Sequence, residues 1–331
     1  MPNSIKVGIA GASGYAGQEL VRLVTRHSNA HLVATMGSAA NSEPRPLPAL
    51  AKIWGGTVSP LSVDSLTQDV DAVFLALPET SAANVAPQLV AGGVKVFDLS
   101  GAFRLRDPAQ RKLWYPETPS ELADIAVYGL TEQYRDKVRH ATLVACPGCY
   151  PTGAILALRP LITAGLLNGS IIIDAKSGIS GAGKRPSERT HFSECHGNVA
   201  AYGIFAHRHA AEIEQELSHS VTFVPHLVPM DRGILETIYA QVRKGTNETD
   251  VAKTLETAYD DMPFVRLTND VLPEVKHVVG TNFCDIGWKL DKQSGRLVMV
   301  TCLDNLIKGA AGQALQNFNV SFGFNECDGL L

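Results

Sequence analysis

One stretch, Gly8-Ile-Ala-Gly11-Ala-Ser-Gly14-Tyr-Ala-Gly17, constrains this chain more than any other. It flows out of the apolar run Ile5–Ala10, which suits a strand buried on both faces of a parallel sheet. The glycines that follow permit a tight turn and a close approach of backbone to ligand. Leu20, Leu23, Val24 and His27 then recur at helical spacing, in a helix running through Arg26. Strand, glycine turn and helix start, in that order, open a dinucleotide-binding βαβ unit with a pyrophosphate lying on the helix N-terminus. Gly11, Ser13, Gly14, Tyr15 and Gly17 are the expected cofactor contacts. A plain tight turn is the alternative.

The next strand, His31–Met36, ends in Gly37-Ser38-Ala39. An NAD site usually places Asp or Glu near this point to bind the ribose 2′-hydroxyl. Here the nearest acid is Glu43, inside a Pro-rich loop. Ser38 can instead hydrogen-bond a 2′-phosphate, with Arg45 or Lys52 as charge partners, which favours NADP(H). Val70–Leu77 and Val94–Leu99 read as further parallel strands, with a helix over Ala82–Ala91 between them. Ligands of open α/β sheets lie beyond the carboxyl ends of the strands. The loops Pro78-Glu79-Thr80 and Ser100-Gly-Ala-Phe-Arg104 should therefore border the cofactor, with Pro78 among its contacts. Residues 105–141 are mixed and polar, and read as an irregular excursion.

Ala145–Gly153, Ala-Cys-Pro-Gly-Cys-Tyr-Pro-Thr-Gly, carries the chemistry. It continues the apolar run Thr142–Ala145 and precedes a helix-like run, Ala154–Ile162, broken by Pro160. Pro151 suits the first position of a helix, where a missing N–H costs nothing. Cys149 then falls just ahead of the helix N-terminus. Unpaired N–H groups and the helix dipole favour an anion there, so the thiol pKa should fall and the thiolate become a nucleophile. A small buried apolar cysteine is the competing reading, and the motif alone leaves both open.

Beyond the cysteine helix, Ile171–Ala175, Val221–Val224, Ile234–Val242 and Arg296–Leu303 read as strands. Thr249–Tyr259 reads as a helix with Thr249 as N-cap, and Asn305–Phe318 as a final helix rich in Ala and Gly. The loop Ser177-Gly178-Ile-Ser180-Gly-Ala-Gly-Lys184 is of the kind that cradles anions. His207-Arg208-His209 with Glu212 is the second dense group. On a helix, Glu212 meets His209 at a spacing of three, which can hold the imidazole in one tautomer and keep it basic. Arg208 offers a fork to a carboxylate or phosphate. A solvated helix start with scattered charges is the plainer alternative. Cys146-Pro-Gly-Cys149 also has metal-ligand spacing, with Cys195-His196 or the two histidines as further ligands. A structural zinc site normally shows two compact ligand pairs, and Pro151 marks a helix start better than a zinc knuckle, so no metal is expected.

At 331 residues the chain exceeds what one core usually serves, which makes two domains the prior. A formal net charge of −4 and the lack of any Lys/Arg run offer nothing to nucleic acid. Polar residues interrupt every apolar run short of membrane-spanning length. Met-Pro-Asn-Ser-Ile-Lys runs straight into the first strand without a secretory signal, so the six cysteines read as reduced thiols of a cytoplasmic protein.

The chain resembles the N-acetyl-γ-glutamyl-phosphate reductases, a family of semialdehyde dehydrogenases serving arginine biosynthesis, nearly from end to end. Gly11–Gly17 looks like the family's NADP fingerprint. Asp98-Leu-Ser-Gly-Ala-Phe-Arg104, Tyr128-Gly129-Leu130, Ser177–Gly183, His207-Arg208-His209, Pro225-His226-Leu227, Arg232-Gly233 and Asp304–Ala311 are similar to its segments. Pro147-Gly-Cys149-Tyr-Pro-Thr152 is similar to its nucleophile motif, the most specific of the set. Cys146, Lys184 and Glu79 depart from the family's frequent Asn, Arg and His. The resemblance implies an α/β protein: a Rossmann-type parallel-sheet domain over 1–148, completed by 305–331, plus an α+β substrate and dimerisation domain with a mixed sheet over 149–304. It implies that Cys149 attacks a small-molecule acyl phosphate, with His209 as proton donor and acceptor and Glu212 behind it. It further implies Arg104, Ser180 and Arg208 at the substrate, and Ser177, Gly178, Asn305 and Lys308 at NADP(H). A homo-oligomer, dimer or tetramer, follows from the same likeness. Two rivals remain at this stage: an aspartate-semialdehyde dehydrogenase, and an NADP-binding sensor without turnover.

Overall fold

In the computed structural model the chain forms two compact units, Met1–Pro147 with Ala310–Leu331, and Gly148–Gly309. Residues 4–37, 43–268 and 271–331 are described. The first unit begins with β1 (Ile5–Ala10), α1 (Tyr15–Thr25) and β2 (Ala30–Met36), followed by a small ladder of β3 (Arg45–Pro46) and β4 (Thr57–Val58). Next come α2 (Val63–Asp69), β5 (Ala72–Leu75), α3 (Glu79–Ala91) and β6 (Lys95–Asp98). Residues 105–141 are not irregular. They form α4 (Pro108–Trp114), α5 (Ser120–Ile125), β7 (Val127–Tyr128) and α6 (Thr131–His140), ahead of β8 (Leu143–Ala145). Asp107 starts α4 by accepting the Gln110 N–H at 2.8 Å, with Pro108 at the first helical position. The buried side chains of α6 are Thr131, Glu132 and Val138, so no apolar stripe announces it. The sheet runs β2-β1-β5-β6-β8-β7 with every pair parallel. β5 is buried at all its residues, the mark of a strand covered on both faces.

The second unit holds α7 (Cys149–Thr163), β9 (Leu167–Gly178), α8 (Phe192–Cys195), β10 (Ala200–Ala201), α9 (Arg208–Leu217), β11 (Val221–Val228) and β12 (Ile234–Val242). After them come α10 (Glu248–Tyr259), β13 (Val265–Leu267), β14 (Cys284–Leu290) and β15 (Arg296–Leu303). Its sheet runs β10-β11-β9-β12-β15-β14-β13 and is mixed: β9 is parallel to β11 and antiparallel to β12. Helix α7 packs on β9, β12 and β15, flanked by α9 and α10. β12 alternates accordingly, with Ile234, Glu236, Ile238, Ala240 and Val242 buried and Tyr239 exposed on the other face.

Two local expectations change. Pro160 does not break α7, which continues to Thr163. Its missing N–H would have bonded the Leu156 carbonyl, and the Tyr259 hydroxyl donates to that oxygen instead. Thr249 is not the cap of α10. Asn247 is, accepting N–H groups of Thr249 and Asp250 at 2.8 and 3.2 Å, while Asp250 accepts the Asn247 N–H at 2.9 Å.

The last segment is not one helix from Asn305. A π-helical turn, Ile307–Ala311, leads into α11 (Gly312–Phe322). The Asp304 carboxylate shapes the entry, accepting the Leu306 and Ile307 N–H groups at 2.8 and 3.1 Å. Helix α11 belongs to the first unit and is buried nearly all round, amides included. Asn317 takes the Thr131 hydroxyl at 2.6 Å and donates to the Gly129 carbonyl at 2.8 Å. Gln316 donates to Glu132 and Glu326 at 2.8 and 2.6 Å.

Candidate active site

Cys149 is the first residue of α7, with Gly148 as its N-cap. Pro151 therefore stands at the third helical position rather than the first, still within the turn whose N–H groups lack intrahelical partners. The Gly148 side supplies no capping group, so the N-terminal field of α7 falls on Cys149. The thiol is partly exposed and makes no disulfide. Two contacts hold this turn. The Gly148 N–H donates to Glu212 Oε1 at 2.7 Å. On another side, Gly309 lies so close that a Cβ there would stand 2.7 Å from the Cβ of Cys149.

Helix α9 brings His207, Arg208, His209 and Glu212 to the same place. His207 is its N-cap, with Nδ1 accepting the His209 N–H at 3.1 Å. That bond leaves the proton of a neutral His207 on Nε2. Burial, and then the charge of Arg208, pushes His207 down to about 4, so it is neutral at pH 7. His209 is buried, its ring 4.8 Å from that of His207 and 5.8 Å from that of Tyr150. Tyr150 packs edge-on against both histidines, and its hydroxyl donates to the His226 carbonyl at 3.1 Å. Burial and then the neighbouring Tyr202 push the Tyr150 phenol upward, so it stays protonated. Glu212 reaches beyond its own helix to the turn before the cysteine. Nothing in local spacing discloses that contact, 64 residues apart in the chain. Arg208 is exposed at the helix start, where its guanidinium can meet an anion.

The loop after β9 is pinned rather than open. Asn305 accepts the Gly233 N–H at 2.7 Å and donates to Ser180 Oγ at 2.9 Å. A Cβ on Gly178 would meet the Arg232 backbone at 2.8 Å, so only glycine allows this approach. Ser177 is buried and donates to the Gly178 carbonyl. Lys308 is wholly buried, its ammonium 5.7 Å from the centre of the Phe264 ring.

In the first unit, Gly11 adopts φ +88°, where a Cβ would strike the Ala76 carbonyl at 2.1 Å, and Gly17 abuts Gly11 equally closely. Gly14 caps α1 without a side chain, no acid stands in the first turn, and Ser13 and the half-exposed Tyr15 flank it. Pro78 caps α3. Ser38 lies outside the described residues. Arg104 donates from Nε to the Cys146 carbonyl at 2.7 Å and from Nη2 to the Leu99 carbonyl at 2.8 Å, tying the loop after β6 to the end of β8. Cys146 is buried with the Asn317 amide 3.7 Å from its sulfur, and burial followed by the charge of Asp98 pushes its thiol up to about 12.

One chain thus carries a parallel-sheet unit with a glycine turn and a mixed-sheet unit with a cysteine on a helix N-terminus. The model "Semialdehyde dehydrogenase, NAD binding domain" matches residues 6–141, and "Semialdehyde dehydrogenase, dimerisation domain" matches 149–305. The chain belongs to the semialdehyde dehydrogenase family. Its relatives include the N-acetyl-gamma-glutamyl-phosphate reductases of Desulforapulum autotrophicum and Syntrophobacter fumaroxidans. They are 45% and 44% identical to it, each comparison covering 98% of both chains. Among solved structures, aspartate semialdehyde dehydrogenase II from Vibrio cholerae shares the fold, with a TM-score of 0.72 at 17% identity over 97% of this chain and 99% of that one. Aspartate semialdehyde dehydrogenase with NADP from Candida albicans does so at 0.68 and 16%, over 96% and 98%.

Proposed function

We infer that this chain reduces N-acetyl-γ-glutamyl phosphate to N-acetylglutamate 5-semialdehyde with NADPH, releasing phosphate, as a step of arginine biosynthesis. The observation that carries this reading is Cys149 at the first position of α7, its preceding amide anchored on Glu212. The fold and the relatives' shared name support the same conclusion. The thiolate attacks the acyl carbonyl, the carbon–oxygen bond to phosphate breaks, and a thioester remains on Cys149. NADPH, when bound, supplies the hydride for reduction. The resulting thiohemiacetal collapses, its carbon–sulfur bond breaks, and the aldehyde leaves. His209 takes the thiol proton at the start and returns it to sulfur at the end. His207 is the weaker candidate, because burial and the charge of Arg208 push it down to about 4, which makes it a poor base, and its Nδ1 is engaged in the cap. Arg208 and Ser180 serve the substrate anion. Arg104 acts by holding the loop after β6 to the end of β8.

The turn at Gly11–Gly17 fits a dinucleotide, since no side chain caps α1 and its N–H groups can face a pyrophosphate. Preference for the 2′-phosphate rests on the lack of an acid directly after β2. Cysteines that form no disulfide among the described residues suit the cytoplasm, where thiols stay reduced. The open face of the second unit's sheet, with Ile172 and Tyr239 exposed, supports self-association there. Among the described residues no helix is long and apolar enough to cross a membrane. A reverse assay tests the activity: with phosphate present, NADP⁺ should be reduced on N-acetylglutamate semialdehyde and not on aspartate semialdehyde. The opposite preference would return the chain to the aspartate enzymes, and no reduction of either would leave a binding protein.

A further inference from the structure

Glu236, the third residue of β12, is wholly buried, and the chemistry above makes no use of it. Thr301 Oγ1 on β15 donates to its Oε2 at 3.0 Å. Its Oε1, shut off from solvent, has no hydrogen-bond partner among the described residues. Directly over this carboxyl runs α7. A Cβ on Gly153 would stand 2.6 Å from Glu236 Oε2 and 2.8 Å from Thr301 Oγ1. Gly153 follows Cys149 by about one helical turn. The missing side chain thus lets a carboxyl approach the turn that carries the cysteine.

The surroundings offer an anion little. β9 presents Ala175 opposite Glu236, and β14 presents Ile286 opposite Thr301. On the near end of α7 the titratable groups are Cys149 and Tyr150. Cys302, beside Thr301 on β15, is itself pushed upward by burial and then by the charges of Asp285 and Glu236. Burial raises Glu236 to about 8, against a smaller opposing effect of the Thr301 hydrogen bond. A carboxylate with one hydroxyl donor and an unmatched oxygen is costly in such a place, and the neutral acid is not.

We propose that Glu236 is a positioning residue for the reaction. Held as the neutral acid beneath the start of α7, it leaves the anion-favouring end of that helix to the Cys149 thiolate, and its own ionisation competes with that thiolate. The proposal rests on reading Cys149 as the nucleophile. A helix N-terminus supplies only about half an elementary charge. Two anions about a turn apart, one of them on the wholly buried Glu236, therefore titrate against each other, and the effect is reciprocal.

The test uses that reciprocity. The infrared carbonyl band of a protonated carboxyl is followed against pH in wild type and in Cys149→Ser, and assigned by its loss in Glu236→Gln. The band should be present at pH 7. It should disappear at lower pH in Cys149→Ser than in wild type, by about one to two pH units, the order expected for two charges a helical turn apart at an effective dielectric of ~20. If Glu236→Gln does not fold, the same comparison stands on the other two proteins, whose difference isolates the coupled group. A band missing at pH 7, or one titrating identically in wild type and an inactive Cys149→Ser, overturns the proposal alone. Turnover by Cys149→Ser overturns the nucleophile reading and this proposal with it.

Discussion

Cys149 is set by two residues that donate no chemistry. Glu212 fixes the amide before it, and Gly309 fills the space beside it with nothing but a backbone. A methyl group at 309 cannot be accommodated by a side-chain rotation, because the atoms it meets are the Cβ and Cα of the cysteine itself. Gly309→Ala should therefore move the sulfur by some tenths of an ångström to one ångström. A displacement of that size costs on the order of 10- to 100-fold in turnover. NADPH binding, measured by fluorescence titration, should stay within about twofold, since the glycine turn lies elsewhere in the chain. Wild-type turnover in Gly309→Ala would mean that the turn tolerates the shift and that Gly309 is mere filling. At this scale the cysteine at a helix start and the histidine pair are legible from residue type and spacing. Glu212's reach to Gly148 and the burial of Glu236 are not, because both depend on partners brought together by the sheet.

Helix α11 shows why elements differ in legibility. β12 and β15 can be read directly, since their apolar runs coincide with their lengths. α11 is legible as a helix but not in what surrounds it: Gln313, Gln316, Asn317 and Asn319 are polar, yet all are buried and hydrogen-bonded. The same logic hides α6, whose Thr131 and Glu132 receive two of those amides. His27 closes the far end. Its Nδ1 accepts the Asn29 N–H at 3.1 Å, so Nε2 carries the proton donated to Asn319 Oδ1 at 2.8 Å. Burial lowers its pKa, more than the Asn319 bond and the Asp328 charge raise it. The folded state thus holds His27 neutral. Its contribution is complete above about pH 6.5, the ordinary value, and is lost as pH falls and only the unfolded chain takes up the proton. His207 acts with the same sign. Glu236, raised to about 8 by burial, acts with the opposite sign, so the share of His27 is read as a difference: from pH 7.5 to 5.5 the urea midpoint of wild type should fall further, relative to its value at pH 7.5, than that of His27→Gln. An equal slope in the variant would show that His27 takes no share.

At the scale of the whole molecule, Ile172 and Tyr239 pair across β9 and β12 and stand exposed on one face of the second unit's sheet. On the proposed self-association through that face, Tyr239→Arg, which places a charge on it, should give a monomer by light scattering, with the fold retained by circular dichroism. An unaltered mass would put the association surface elsewhere. The path of the chain has a different outcome. It leaves the first unit at Pro147 and re-enters it at Ala310, so the ribosome delivers the second unit whole before α11 exists. During synthesis the Gly129 carbonyl, Thr131 and Glu132 wait for amides still to be translated. The segment made first is thus the last to be finished, and a nascent chain must keep a seat open for its own tail.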